Sequence, residues 1–346
     1  MDLTEFIRWM PKVELHVHLE GSIHPATLLW LARKNHVPLP ADTVEGLRDW
    51  YTFTDFDHFL EIYLTICECI RTPRDIEMIA REFLMGQAAQ NILYSEVTYT
   101  PYTHYRQAGL RCADQLAALD RARRWAQREL GVSMNLILDI SREVTLREGR
   151  QTARWAVKGM DQGVVALGLG GPEPGNPPEK FAAAFATAAR AGLPAVTHAG
   201  ETGGPASIWG ALESLHAVRI GHGVRCLEDP TLVAELRRRQ TPLEVCPSSN
   251  IRLKVFDSLA AHPLPQMMAE GLVVTLNSDD PPLFNTSLTY EYLNCAQTFG
   301  WDARVLQSLV SNAVEACLLP EAEKADLRQR CEAGFARLQT VPVEQV

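Results

Sequence analysis

The stretch "VELHVHL" (residues 13–19) sets two histidines two positions apart among valines and leucines. Successive side chains of a strand point to opposite faces, so His16 and His18 share one face of a segment that otherwise reads as a buried strand. Imidazoles in such a place need partners. The search for those partners along the chain also yields the fold.

Similar apolar runs recur at "ILYSEVTY" (92–99), "SMNLILDIS" (133–141), "VVALGLG" (164–170) and "LPAVTHA" (193–199). Three more follow at "VRIGHG" (218–223), "PLEVCP" (242–247) and "LVVTLNSDD" (272–280). Amphipathic helical patterns separate them, among them "PRDIEMIAREFLMGQAAQ", "ADQLAALDRARRWAQREL" and "DPTLVAELRRR". Strands alternating with helices imply parallel pairing, and eight of them predict an α/β fold of the TIM type, a closed (β/α)8 barrel. A doubly wound open sheet is the competitor, but no G-x-G-x-x-G follows the first strand. Residues 20–91 form a long insertion after strand 1, with at least two helices around "DFDHFLEIYLTI" that fold over the barrel top. Residues 288–338 read as extra C-terminal helices. Without a Gly/Ser linker, low-complexity tract or repeat, residues 1–346 are expected to form one domain.

The chain has 346 residues and a formal net charge of −9. That balance argues against a nucleic-acid backbone or an anionic membrane as the main partner. No apolar run approaches a membrane span, and the N-terminus shows no secretory pattern. The eight cysteines (67, 69, 112, 226, 246, 295, 317, 331) are scattered, as expected of reduced thiols in a cytoplasmic protein. Cys67-Glu-Cys69 imitates a metal pair but lies in a helical pattern, where i and i+2 face apart.

Catalytic groups of such a barrel sit at the C-terminal ends of its strands. Strand 1 ends in His16 and His18, strand 5 in His198 with Glu201 just beyond, strand 6 in His222, and strand 8 in Asp279 and Asp280. A lone histidine at a strand end is usually an ordinary hydrogen-bonded side chain, and Asp-Asp-Pro is usually a helix cap. Here that reading would have to hold independently at four strands. Three imidazoles with one carboxylate suit Zn²⁺, which lowers the pKa of a water toward about 7. His16, His18, His198 and Asp279 are the expected ligands, and Glu201 the proton shuttle. His222 and Asp280 are expected to orient the attacking water and the substrate.

The motifs "PKVELHVHLEGS", "THAGE", "RIGHGVR", "LEVCPSSN", "LNSDDPPLF" and "LPEAEKADL", in this order, resemble the adenosine deaminases of the metallo-dependent amidohydrolase superfamily over nearly the whole chain. The resemblance implies one Zn²⁺ per chain on His16, His18, His198 and Asp279. It implies that Glu201 protonates purine N1 while hydroxide attacks C6, that His222 positions the hydroxide, and that Asp280 faces N7. Gly171, in the loop "LGLGGPE" (167–173), would offer its N–H to N3; Pro172 has none. Strand 4 ends Gly168-Leu-Gly-Gly171 and lacks the bridging lysine or glutamate of binuclear relatives. The P-C-x-x-C of cytidine-type deaminases is absent.

The substrate so implied is a small 6-aminopurine nucleoside, with adenosine to inosine plus ammonia (purine salvage) as the first expectation. Animal adenosine deaminases carry aspartate at the position of Glu20, where it binds the ribose 5′-hydroxyl. The longer glutamate leaves a second candidate, 6-amino-6-deoxyfutalosine of menaquinone biosynthesis, whose 5′ side carries a carboxyphenyl group. For that ligand "DFDHFLEIY" and "YTPYTHYR" would supply an apolar wall, and Arg142 or Arg106 a cation. Phe56, Phe59 and Tyr63 also recur at helical spacing and read equally as core. Enzymes for free adenine tend to carry Asp where this chain has Gly221. A non-catalytic nucleoside- or zinc-binding protein is a remote alternative, since a dead descendant would be expected to have lost Glu201 or a ligand. The oligomeric state is not legible.

Overall fold

Proline opens helix after helix along this chain: Pro73, Pro101, Pro205, Pro230, Pro247 and Pro281 each stand in a first turn, where a missing N–H leaves no bond unmade. Thr72 with Asp75, and Thr145 with Glu148, add reciprocal capping boxes. These starts divide the chain into the strand–helix units expected of a barrel. The structure, a computed structural model, describes residues 1–339, so residues 340–346 of the expected domain lie outside it.

Eight parallel strands run in sequence order: β1 (Lys12–His18), β2 (Ile92–Tyr99), β3 (Ser133–Ser141), β4 (Val164–Gly170), β5 (Ala195–Ala199), β6 (Ala217–His222), β7 (Leu243–Val245) and β8 (Val274–Leu276). The ladder closes between β1 and β8 by unusual means. Val17 bridges Asp279; His18 N–H donates to Asp279 O at 2.9 Å, and Asp279 N–H to His16 O at 3.1 Å. One step below, the Asn277 side-chain oxygen accepts from the N–H groups of Leu15 (2.9 Å) and His16 (3.1 Å). A side chain thus replaces the missing ladder bonds. This is a TIM-type (β/α)8 barrel, its seam drawn together at the end where the site residues lie.

Strict alternation would put Glu14, His16 and His18 on one face. A bulge between Glu14 and Val17 removes Glu14 from that row, and its carboxylate instead accepts from Gln87 and Ser278. The insertion after β1 contains the helices Pro25–Asn35, Val44–Trp50 and Phe56–Glu68, ahead of the crossover helix Pro73–Ala89. After β8 come Pro281–Phe284, Leu288–Phe299, Ala303–Ala316 and Glu321–Gln339. The eight cysteines are buried and free, Cys67 and Cys69 included. No helix among the described residues is long and apolar enough to cross a membrane.

Candidate active site

The ends of β1, β5 and β8 converge on His16, His18, His198 and Asp279, whose ligand atoms all lie within 4.8 Å of one another. Nε2 of His18 stands 3.1 Å from Nε2 of His198. Asp279 Oδ1 lies 3.3 Å from His18 Nε2 and 3.5 Å from His16 Nε2. A bond at Nδ1 turns the Nε2 of both His16 and His198 inward. His16 donates from Nδ1 to Glu244 (2.9 Å), and its buried Nε2 has no hydrogen-bond partner. His198 donates from Nδ1 to Leu169 O (3.1 Å). A buried, unpartnered imidazole nitrogen beside two more imidazoles and a carboxylate is a donor set that fits one divalent cation of borderline softness.

The electrostatics divide the three imidazoles, pushing two toward the neutral form and His16 toward the charged one. Burial, reinforced by the neighbouring imidazoles, holds His198 well below the usual histidine range, and burial lowers His18. Burial opposes charge on His16 too, but Asp279 and Glu244 outweigh it and raise His16 to about 10. Burial would raise Asp279; the neighbouring imidazoles, His16 first, hold it well below the carboxylate range instead. Behind His16 a buried ion string fixes Glu244: Arg219 Nε lies 2.5 Å from its carboxylate, and Arg219 Nη2 lies 2.6 Å from Glu96. An ion pair this deep is costly unless every member is partnered, so its presence behind a candidate ligand points to orientation of that ligand.

His222 and Asp279 are non-glycine residues in the left-handed region (φ 61° and 63°), a strain that concentrates at functional sites. His222 Nε2 is buried without a hydrogen-bond partner, 3.6 Å from Glu201 Oε2 and 3.9 Å from Asp279 Oδ2. Burial, then Asp279 and Glu173, push the Glu201 carboxyl well above its ordinary range, which favours its protonated form. The Glu201 backbone is clamped by Glu173, whose carboxylate accepts from the N–H groups of Gly200 (2.8 Å), Glu201 (2.8 Å) and Thr202 (3.0 Å). Asp280 is buried, and burial followed by Asp279 raises its carboxyl strongly. A Cβ at Gly21 would stand 1.6 Å from Asp280 Oδ1, so only glycine there admits this carboxyl. At Gly221 a Cβ would meet His16 Cε1 at 2.7 Å.

A cavity of about 900 Å³, including its open mouth, rises from this cluster. His18, Gly171, His198, Glu201, His222, Asp279 and Asp280 reach its surface. Phe56, Phe59 and Tyr63 serve both roles that their spacing allows: they line the cavity, and Phe59 stacks on Phe284 at 5.4 Å. Glu20 stands behind the wall, fully buried; Oε1 accepts from Thr100 N–H (3.1 Å) and pairs with His104 (3.0 Å), and Oε2 has no partner. Of the two candidate cations, Arg142 is committed elsewhere: it is buried and donates to Asn176 O (2.6 Å) and His198 O (2.7 Å). Arg106 reaches the cavity, and its charge also attracts Glu148.

Glu173, Glu244, Asn250, His262 and Asp139 were not singled out from the sequence. Glu244 had a signal, a lone carboxylate within the apolar run "PLEVCP". Asp139 lies on the cavity wall, and burial, then Glu20, raise it to about 8. Between its ordinary value and about 8 the folded chain keeps a proton that the unfolded chain has released, so stability falls as pH rises through that window. Asp139→Asn removes this dependence. Its Tm advantage over the parent is expected to widen from about pH 5 to about pH 8, to at least about 3 °C in calorimetry.

The barrel, with inward-facing imidazoles and carboxyls at its strand ends, defines a metal-dependent hydrolase of the amidohydrolase kind. The adenosine deaminase profile matches residues 11–333, and the chain belongs to that family. Its members are hydrolytic deaminases that act on C–N bonds of cyclic amidines, and this chain is an enzyme of that class. An aminodeoxyfutalosine deaminase of Streptomyces avermitilis is 42% identical over 327 residues, covering 94% of this chain and 91% of that protein. An adenine deaminase of Rhodospirillum rubrum is 39% identical over 328 residues, covering 95% and 98%. A zinc-bound amidohydrolase from Burkholderia ambifaria superposes with a TM-score of 0.90 at 26% identity, covering 98% of this chain and 94% of that one.

Proposed function

We propose that the chain is a zinc enzyme that deaminates 6-amino-6-deoxyfutalosine at C6 of its purine. The cavity wall carries this reading. Phe56, Phe59, Tyr63 and Val144 line it with apolar surface, and Arg106 stands on the same wall. An aromatic ring bearing a carboxylate matches both features. The 42% identity to an aminodeoxyfutalosine deaminase supports the same substrate. Adenosine, the first expectation from sequence, would leave wall and cation unused.

In this reading His16, His18, His198 and Asp279 hold one Zn²⁺, which when bound makes water nucleophilic at neutral pH. Glu201 donates its proton to purine N1, leaving C6 electron-poor. Asp280, whose burial favours its protonated form, faces N7 and Gly171 N–H faces N3, fixing the plane of the base. His222 directs an N–H toward the attacking oxygen. Glu20 shapes the 5′ side through Thr100 and His104.

The test compares kcat/KM of the zinc-loaded protein for 6-amino-6-deoxyfutalosine, adenosine and adenine. The futalosine is expected to lead by about 100-fold or more, and Arg106→Met to lower its kcat/KM by about 10- to 100-fold, the value of one charge-assisted contact. A smaller change is expected with adenosine. A higher kcat/KM for adenosine or adenine than for the futalosine would sink the assignment.

A further inference from the structure

Two candidate cation clusters overlap at this site. One is His16, His18, His198 and Asp279; the other is His222, Cys246 and Asp279. Proximity alone does not say which side of Asp279 takes the ion. The hydrogen bonds behind His222 do, because they run in one direction from a group whose proton cannot move.

That group is a backbone amide. Leu264 N–H donates to His262 Nδ1 at 3.1 Å, so Nδ1 of His262 is an acceptor and its ring proton sits on Nε2. Burial depresses His262 to about 4, which keeps the ring neutral. Its Nε2–H then requires an acceptor and finds Asn250 Oδ1 at 3.1 Å. This settles which way the Asn250 amide faces, an orientation that hydrogen bonding must decide. With Oδ1 turned to His262, Nδ2 is turned to His222 Nδ1 at 3.3 Å and donates to it. His222 Nδ1 is therefore an acceptor too. All three side chains are buried, at 3%, 0% and 0% exposure, so bulk water does not compete for these links.

We propose that Leu264, His262 and Asn250 form a directional relay that fixes His222 with its proton on Nε2, making it an obligate hydrogen-bond donor into the active site and excluding it as a metal ligand. Asn250 and His262 are positioning residues; neither reaches the cavity. The relay selects between the clusters, because a nitrogen carrying a proton has no lone pair for a cation. It also accounts for the absence of a protein acceptor at Nε2, whose nearest carboxylate oxygen is the 3.6 Å contact with Glu201. The catalytic consequence rests on the role proposed above for His222; the tautomer does not.

The tautomer is therefore measured directly. Long-range ¹H–¹⁵N spectra of histidine-labelled, zinc-loaded enzyme, with His222 assigned by its loss in His222→Gln, are expected to show a pyridine-type Nδ1 and a pyrrole-type Nε2. A proton on Nδ1, or a metal-shifted Nε2, overturns the proposal. Asn250→Asp offers acceptors to both rings and so draws a proton onto His222 Nδ1. Its kcat is expected to fall by about 100-fold or more, as happens when a catalytic imidazole is held in the wrong tautomer, with KM changed less than about threefold and zinc content unchanged. His262→Gln still offers an N–H to Asn250 and is expected to retain more kcat than His262→Leu by about tenfold. A folded, zinc-loaded Asn250→Asp enzyme with the parent's kcat would also overturn it.

Discussion

Glu201→Gln is expected to lower kcat by about a thousandfold, within the range of a lost general acid, while the protein keeps its metal and its melting temperature. The argument rests on what the substitution leaves alone. Glutamine has the same shape, and the bonds that hold this loop run from backbone N–H groups to Glu173, so the loop stays in place. What is lost is a transferable proton. Burial, with Asp279 and Glu173 nearby, favours that proton's staying on Glu201. An amide can still hydrogen-bond N1 of the purine, so substrate binding should survive and the loss should fall on kcat. Parallel loss of zinc or of thermal stability would show instead that Glu201 is a structural residue. An unchanged kcat would remove it from the chemistry.

Asp279→Asn is expected to weaken the hold on zinc by more than about 100-fold, beyond the 10- to 100-fold usual for groups that only orient a ligand. Asparagine suits the substitution, since it tolerates the left-handed backbone that Asp279 adopts (φ 63°). The barrel seam should not open, because its bonds at this residue come from backbone N–H and C=O. Metal analysis after dialysis should find little zinc, while circular dichroism remains that of the parent. Glu244→Gln provides the comparison: it keeps the shape behind His16 and removes only the charge, so a milder loss is expected. Equal zinc occupancy in Asp279→Asn and the parent would place the ion elsewhere.

The residues of the two strongest predictions were legible because they sit beside strand ends in short stretches of sequence. A period-two histidine pair, "THAGE", "GHG" and "NSDD" each combine a strand with a polar group at its mouth, and barrel topology brings those mouths together. Strand bounds were less legible at the end of the chain. Runs at 242–247 and 272–280 yield strands of only Leu243–Val245 and Leu276 back to Val274, because Pro247 opens a helix and the Asn277 side chain takes over the ladder. Supporting groups stayed hidden for a different reason. Glu173 lies in a Pro/Gly loop, and His262 reaches His222 only through Asn250, so neither pairing follows any periodicity. Glu20 was expected to meet the 5′ side of the substrate and Arg142 was one of two candidate cations, but sequence could not show that burial and local partners set both behind the wall.

The seam has a consequence for how the protein comes to exist. Leu15 and Asn277, whose bond helps close it, are 262 residues apart in sequence. During synthesis the first strand leaves the ribosome with two exposed imidazoles and an unpaired edge, and waits for nearly the whole remaining chain before its last neighbour arrives. A ring closed over so long a loop carries a large entropic cost, which grows only slowly with further length. An ion held jointly by both ends would oppose reopening there. Metal supply would then govern not only turnover but also how long a newly made chain stays vulnerable to proteases and to strand pairing with its neighbours.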